Sequence, residues 1–184
     1  MFTSNYRNYK RGMFQGETIG FKSFDGTQNN IGTSTTVRAF CGDIGSLMKK
    51  VHCRSLAEGS NSSDPLNACN PGIYFGSGIT PPTVDDYTLE IPIATGLSIV
   101  SVTASNMTLD GKRYSYCSTM ELTNTVSAPI TIAEVGLFGQ GNTGSSRKPV
   151  LFERTVLETP VVINPGETKV IRYWVDMHQF FVGA

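Results

Sequence analysis

The sequence predicts an all-β protein: a single β-sandwich domain of jelly-roll-like form, with one short helix and an N-terminal arm. Three observations lead there. The 184 residues include 20 Thr, 17 Ser and 19 Gly, a balance that favours strands and turns over helices. From residue 72 onward, short apolar or alternating segments recur, each bounded by turn chemistry. A hydrophobic content of 39% is enough for one sizeable core, and neither a repeat nor an internal linker divides the chain.

Residues 1–16 have no clean period and mix aromatic with basic side chains, so they read as a docking arm. Tyr6, Arg7, Tyr9, Lys10 and Arg11 are its expected partner contacts, because aromatic and Arg side chains are enriched where proteins meet. The start has no apolar core of a secretory signal, and no stretch approaches a membrane span, so neither a cleaved leader nor membrane insertion is expected. The sandwich is expected over residues 17–184. ETIGFKSFDG (17–26) is strand-like with a turn at Asp25-Gly26, and TSTTVRAF (33–40) alternates with period two. A helix is predicted over about 43–53. Asp43 stands ready to cap it, and Ile44, Leu47, Met48 and Val51 recur at helical spacing. Residues 54–71 then form a polar loop.

The remaining strand candidates are 72–78, 97–105, 112–124, 128–139, 149–157, 160–163 and 167–177. Asp110-Gly111 marks a tight hairpin, and Asn164-Pro165-Gly166-Glu167 places Pro and Gly where a type II turn needs them. Gly139-Gln-Gly141-Asn-Thr-Gly144 matches the G-x-G-x-x-G spacing of nucleotide-binding loops. Such a loop must open a helix whose N-terminus faces the phosphates. Here Pro149 and a β-prone run follow, so the glycines are expected to join two strands.

Other chemistry finds little support. The four cysteines, at 41, 53, 69 and 117, lack paired spacing, which argues against a zinc site. Free or buried thiols are the main expectation; Cys53 and Cys69 are the pair that oxidising surroundings would join. The chain has two histidines, and no local signature links His52 or His178 to a catalytic cysteine. Asp85-Asp86 reads as turn or cap chemistry, since neighbours in an extended chain point to opposite faces. Trp174 with Tyr114, Tyr116 and Tyr173 admits a sugar-stacking reading, although alternation with Met120 and Leu122 makes core packing the simpler one. The sequons at Asn61 and Asn106 are expected to be chance matches. No catalytic residue, cofactor or metal is therefore expected, and the chain is not expected to be an enzyme.

The net charge is zero, but residues 1–54 carry +5 and the remainder −5. Scattered solvated charge is the simpler reading of this asymmetry, although opposed ends also suit head-to-tail contact between copies or a basic arm on an acidic neighbour. The bases form no dense run, so nucleic acid is not an expected partner.

Three stretches carry a resemblance. They are Gly72-Ile-Tyr-Phe-Gly-Ser-Gly through Asp86-Tyr-Thr-Leu89; Leu122-Thr-Asn with Ile130-Thr-Ile-Ala-Glu-Val-Gly-Leu-Phe138; and Leu151-Phe-Glu-Arg-Thr-Val-Leu157 with Pro160 through Ile171. In this order they resemble small structural proteins of tailed bacteriophages and prophages. The resemblance covers residues 72 to about 175 and rests on the order of the segments. It implies a virion component, assembled in the host cytoplasm, whose partners are capsid, neck or tail subunits, with self-association also open. A decoration or cement protein of the head is the first expectation, followed by a neck or tail component, then a receptor- or glycan-binding module. The residues also have a physical reading of their own. Gly76 and Gly78 permit a bent strand exit, Tyr87 and Leu89 pin the loop back, and Glu134 is expected to pair with Arg154 across a hairpin.

Overall fold

The computed structural model describes residues 1–6, 19–31, 44–56, 59–60, 70–105, 108–110, 113–142 and 146–178. Two sheets pack together as an open β-sandwich, not a closed barrel. One sheet has the order β3-β5-β9-β10-β4. Its strands are β3 (Val51–His52), β4 (Gly59–Ser60), β5 (Gly72–Gly76), β9 (Ile130–Asn142) and β10 (Ser146–Ile163). The other has the order β11-β8-β6, from β6 (Leu97–Ala104), β8 (Arg113–Asn124) and β11 (Thr168–His178), with β7 (Thr108–Asp110) paired to β8. A separate hairpin joins β1 (Ile19–Lys22) to β2 (Gln28–Ile31) through the turn at Asp25-Gly26, where Gly26 has φ +82°. Every pairing is antiparallel except β3 with β5.

Apolar residues alternating on the inner faces build the core. Ile73, Phe75, Ile132, Val135, Leu137, Val150 and Phe152 come from the five-stranded sheet, and Met120, Leu122, Ile171, Tyr173 and Val175 from the other. A second, smaller cluster of Tyr74, Leu89, Phe138 and Leu151 lies on the outer face of the five-stranded sheet. β9 is therefore covered on both sides, which is why its run from Ile132 to Gly141 is buried without a break. The turn from β10 to β11 carries the chain between the sheets. Gly166 sits at φ +73° and Glu167 N donates to Asn164 O at 2.9 Å, the geometry of a type II turn. Buried Asn124 staples this end, donating to Ala128 O and Ile163 O at 2.8 Å each and accepting from Val126 N at 2.9 Å.

Three elements differ from expectation. The helix predicted over 43–53 is a single turn, α1 (Ile44–Leu47). Leu47, Met48 and Val51 are buried as the spacing implies, but Val51 and His52 pair with Ile73 and Tyr74, and that tertiary strand pairing overrides helix propensity. Gly72 allows the close approach, since a Cβ there would meet Lys50 O at 2.5 Å. Next, the glycine run is not a loop at its start. Gly139 and Gly141 lie inside β9, and a Cβ at either would meet the ring of Phe152 at 2.2 Å or of Phe21 at 2.7 Å. Finally, 149–157 and 160–163 are one strand, β10, interrupted by register shifts between Leu151 and Glu153 and between Val156 and Val161. Within the expected polar loop 54–71, Gly59–Ser60 pairs with the start of β10. The segment 33–40, the Asn61 sequon and Asn106-Met107 of the other sequon lie outside the described residues.

Candidate functional site

Parts of the three segments that carry the resemblance, residues 76–91, Glu134 and Arg154, meet at one place. Between β5 and β6 the chain leaves the sheet as a strap, residues 77–91, and returns beside itself. Ser77 N donates to Ile91 O and Ile93 N to Phe75 O, at 2.9 Å each. The strap crosses the outer face of the five-stranded sheet, where Leu89 is buried against the small cluster. Under it lies Glu134 of β9, 0% exposed, paired with Arg154 of β10, 3% exposed; Arg154 Nε to Glu134 Oε2 is 2.7 Å. The register sets Arg154 opposite Gly136 and Glu134 opposite Val156, so the two are diagonal neighbours on one face.

Burying a carboxylate is costly unless its oxygens are satisfied. Glu134 accepts from Gly78 N at 3.2 Å, Glu90 N at 3.1 Å and Ile91 N at 2.9 Å, as well as from Arg154. Three of its four donors are backbone groups of the strap. Arg154 extends the clamp to Asp86 at 2.9 Å and to Glu90 at 3.4 Å. This explains the paired glycines where the strap begins. A Cβ on Gly76 would meet Glu134 Oε1 at 2.3 Å, and one on Gly78 would meet Glu90 Cβ at 2.4 Å. They leave room for a buried carboxylate to reach main-chain amides.

Asp86 was expected to serve a turn, and it does, accepting from Thr83 N at 3.0 Å and Thr83 Oγ1 at 2.7 Å. Its pairing with Arg154 and the contribution of Glu90 are additions that the sequence did not disclose. Burial opposes ionisation of Asp86, but the Thr83 bonds and the Arg154 guanidinium hold its carboxyl below the usual range. Tyr87 is half-buried and rests against the β1–β2 hairpin, with Lys22 Nζ 3.9 Å from its ring centroid and the Gly26 turn alongside.

The first six residues do not stand off as an arm. Met1 to Thr3 run antiparallel beside β10, with Thr3 N donating to Phe152 O at 2.9 Å and Arg154 N to Met1 O at 3.2 Å. Tyr6, expected to dock a partner, is instead 8% exposed in the core, with Phe2 stacked on it at 4.3 Å and Phe152 at 5.7 Å. Two aromatic side chains gain more from the sandwich interior than from solvent, which accounts for the correction. Arg7, Tyr9, Lys10 and Arg11 lie outside the described residues. A cleft of about 270 Å³ separates the N-terminal segment from the hairpin and strap, but its polar groups are largely committed. Asn5 is bonded to both backbone groups of Lys22, and Asp86 to Arg154.

Adjacent to Arg154, Glu153 faces the other way, into the space between the sheets. The bulge at Phe152 turns both Phe152 and Glu153 inward. Tyr173 donates to the Glu153 carboxyl, as do Thr155 Oγ1 and the N-terminal ammonium at 2.6 Å each. Burial pushes the Glu153 carboxyl above its usual range, and the ammonium and Thr155 only partly offset that.

Among the described residues the thiol and imidazole groups give no reactive pair. Cys53 and Cys117 are free, so the Cys53–Cys69 disulfide is not formed; Cys41 and Cys69 lie outside the described residues. Burial pushes the Cys53 thiol up to about 11, which leaves almost no thiolate at neutral pH. His52 sits in β3, not at a helix end, with Nε2 3.3 Å from Pro71 O and its ring against Tyr74; burial lowers its pKa. Among the described residues no group of His, Cys, Asp or Glu is placed to hold a metal ion, and no helix is long and apolar enough to cross a membrane.

The outer face of the four-stranded sheet is different in kind. Trp174 is 57% exposed and Val170 56%, with Arg172 exposed between them on β11. On β8, Cys117, Thr119 and Glu121 stand opposite Trp174, Arg172 and Val170 in register. Ser101 and Thr103 of β6 continue the same rows. Tyr173 and Tyr116, weighed with Trp174 as sugar-stacking rings, turn instead toward the core; the Tyr114 side chain is outside the described residues. Ile99 and Val100, at the bulge of β6, add exposed apolar surface at the opposite edge. Comparison with protein-family models, with curated proteins and with solved structures gave no match.

Proposed function

We propose that this chain is a non-enzymatic structural subunit of a tailed-bacteriophage virion, assembled in the host cytoplasm and bound to other virion subunits. Its proposed place is the head surface, as a decoration or cement protein, with a neck or tail position as the alternative. Support begins with the ordered segments of residues 72–171, whose characteristic residues converge on one clamp. The observation that carries the binding role is a group of four exposed apolar residues on one sheet; other exposed apolar residues, Ile79 and Ile91 among them, lie on the strap. Ile99, Val100, Val170 and Trp174 all lie on β6 and β11, the two edge strands of the four-stranded sheet. Edge strands present unpaired backbone groups, and apolar side chains there favour contact with another subunit.

Trp174 also favours a second reading, a glycan-binding module, since an exposed indole stacks on sugar rings. The test is mass spectrometry of density-purified particles induced from cells that encode the chain. The structural reading predicts peptides of this chain at a fixed ratio to the capsid protein. A chain expressed in the lysate but missing from the particles would remove it.

A further inference from the structure

We infer that the outer face of the four-stranded sheet is a self-complementary interface that binds the same face of a second copy. The inference rests on the proposed reading of the chain as an assembling subunit and names one partner for it. Four features of the face support a like partner. It is lined by short side chains, Thr119, Thr123, Ser101 and Thr103, which let another flat sheet approach. Two large apolar side chains, Val170 and Trp174, stand out from it. The other two features are its charges. Arg172 on β11 and Glu121 on β8 lie on this face as diagonal neighbours, since Arg172 is opposite Thr119 and Val170 opposite Glu121. Neither makes an ion pair or side-chain hydrogen bond with any described residue of its own chain.

A two-fold axis in the plane of contact exchanges each residue with its mirror position across the axis, so residue i meets j and j meets i. When the axis passes between Arg172 and Glu121, each Arg172 meets Glu121 of the other copy, and both unpaired charges are satisfied twice over. Trp174 and Val170 flank these pairs and supply the apolar contact. Among the described side chains the face carries one unpaired cation, Arg172, and one unpaired anion, Glu121, and is electrically complementary to itself. The size of the face places the dimer in the weak, transient class. Three strands of about ten residues, at roughly 3.4 Å per residue and about 4.8 Å apart, cover about 500 Å². That is below the roughly 800 Å² per partner of a standard interface, so dissociation at roughly 10–100 μM is expected.

Sedimentation equilibrium of the purified full chain from about 1 μM to 1 mM reads this directly, with the emission of Trp174, the single tryptophan, as a second signal. The wild type should dimerise while the Trp174 emission moves to shorter wavelength. R172E and E121R each set like charges against one another twice, and each should weaken the dimer about ten-fold or more while melting like the wild type. R172E/E121R exchanges the charges and should restore the dimer to within about three-fold of wild type. A chain monomeric at 1 mM overturns the inference. So does a dimer indifferent to both reversals, as strand pairing at the β11 edge would give, or a double variant that fails to recover. None of these outcomes bears on whether the chain is found in particles.

Discussion

Replacing Arg154 with Met removes the charge that partners Glu134 and leaves a side chain of similar length. Glu134 keeps three backbone N–H donors from the strap but loses its guanidinium at 2.7 Å while remaining fully buried. Stranding one member of a buried pair costs about 3–5 kcal/mol, and the three remaining amides place this case near about 3 kcal/mol. The half-buried contact with Asp86 adds about 1 kcal/mol, and the contact with exposed Glu90 adds almost nothing. The sum, about 4 kcal/mol, is a large share of the roughly 5–15 kcal/mol that stabilises a domain, and lowers Tm by about 8–16 °C at this chain length. Urea unfolding of the full chain supplies the global value. Amide exchange supplies the local one: Gly78, Glu90 and Ile91 should lose protection well before Met120 or Leu122. The double variant E134L/R154M should cost less than the two single changes added together, because it leaves no buried charge unpaired. A loss under about 1 kcal/mol for R154M, with unchanged exchange at the three strap amides, would refute the clamp.

Other parts of the structure make separate predictions. Gly139→Ala drives a Cβ to 2.2 Å from the Phe152 ring and should cost about 1–3 kcal/mol by urea unfolding, although the residue lies in what resembles a loop. Ser118→Ala should instead stabilise the chain by about 1 kcal/mol, since the Ser118 hydroxyl is fully buried with no hydrogen-bond partner among the described residues; a loss of stability would point to a partner. The carboxyls of Asp86 and Asp25 are held low despite burial, Asp25 by bonds from Ser23, Thr27 and Lys148. The stability they lend is present above about pH 4 and lost as the pH falls through their folded values, so acid should release the strap and hairpin first by amide exchange. Glu153 has the opposite sign: its raised carboxyl favours folding below about pH 4.3, and that contribution is lost as pH rises through the folded value. Urea midpoints of E153Q should therefore fall less than those of wild type between about pH 4.5 and 7.5.

Much of the strand content was legible because alternation and turn chemistry are local. Residues 72–76, 130–138 and 168–177 follow their period, and Gly166 follows from the turn it must make. The pairing of Glu134 with Arg154 was legible too, since an acid interrupting an apolar strand needs a base nearby. What closes over that pair was not. Asp86 and Glu90 look like turn residues, and only the path of the strap brings them to Arg154. Helical spacing correctly marked Leu47, Met48 and Val51 as core, yet the same spacing concealed that Val51 starts a strand on Ile73. Tyr6 reads as surface from composition alone, because a short segment shows no period and its burial depends on Phe152 far along the chain. Exposure of Trp174 was hidden likewise, since alternation does not say which face of a two-sheet protein meets water.

If the chain is the proposed structural subunit, a neighbour covers the outer face of its four-stranded sheet in the particle. Hydroxyl-radical footprinting of the chain, free at about 1 μM and within purified particles, tests it most directly. Oxidation of Trp174 and Val170 should fall several-fold in particles, while that of Leu89 and Phe138 should stay low in both. Equal oxidation of Trp174 in the two states, or no copy of the chain in the particles, would contradict it.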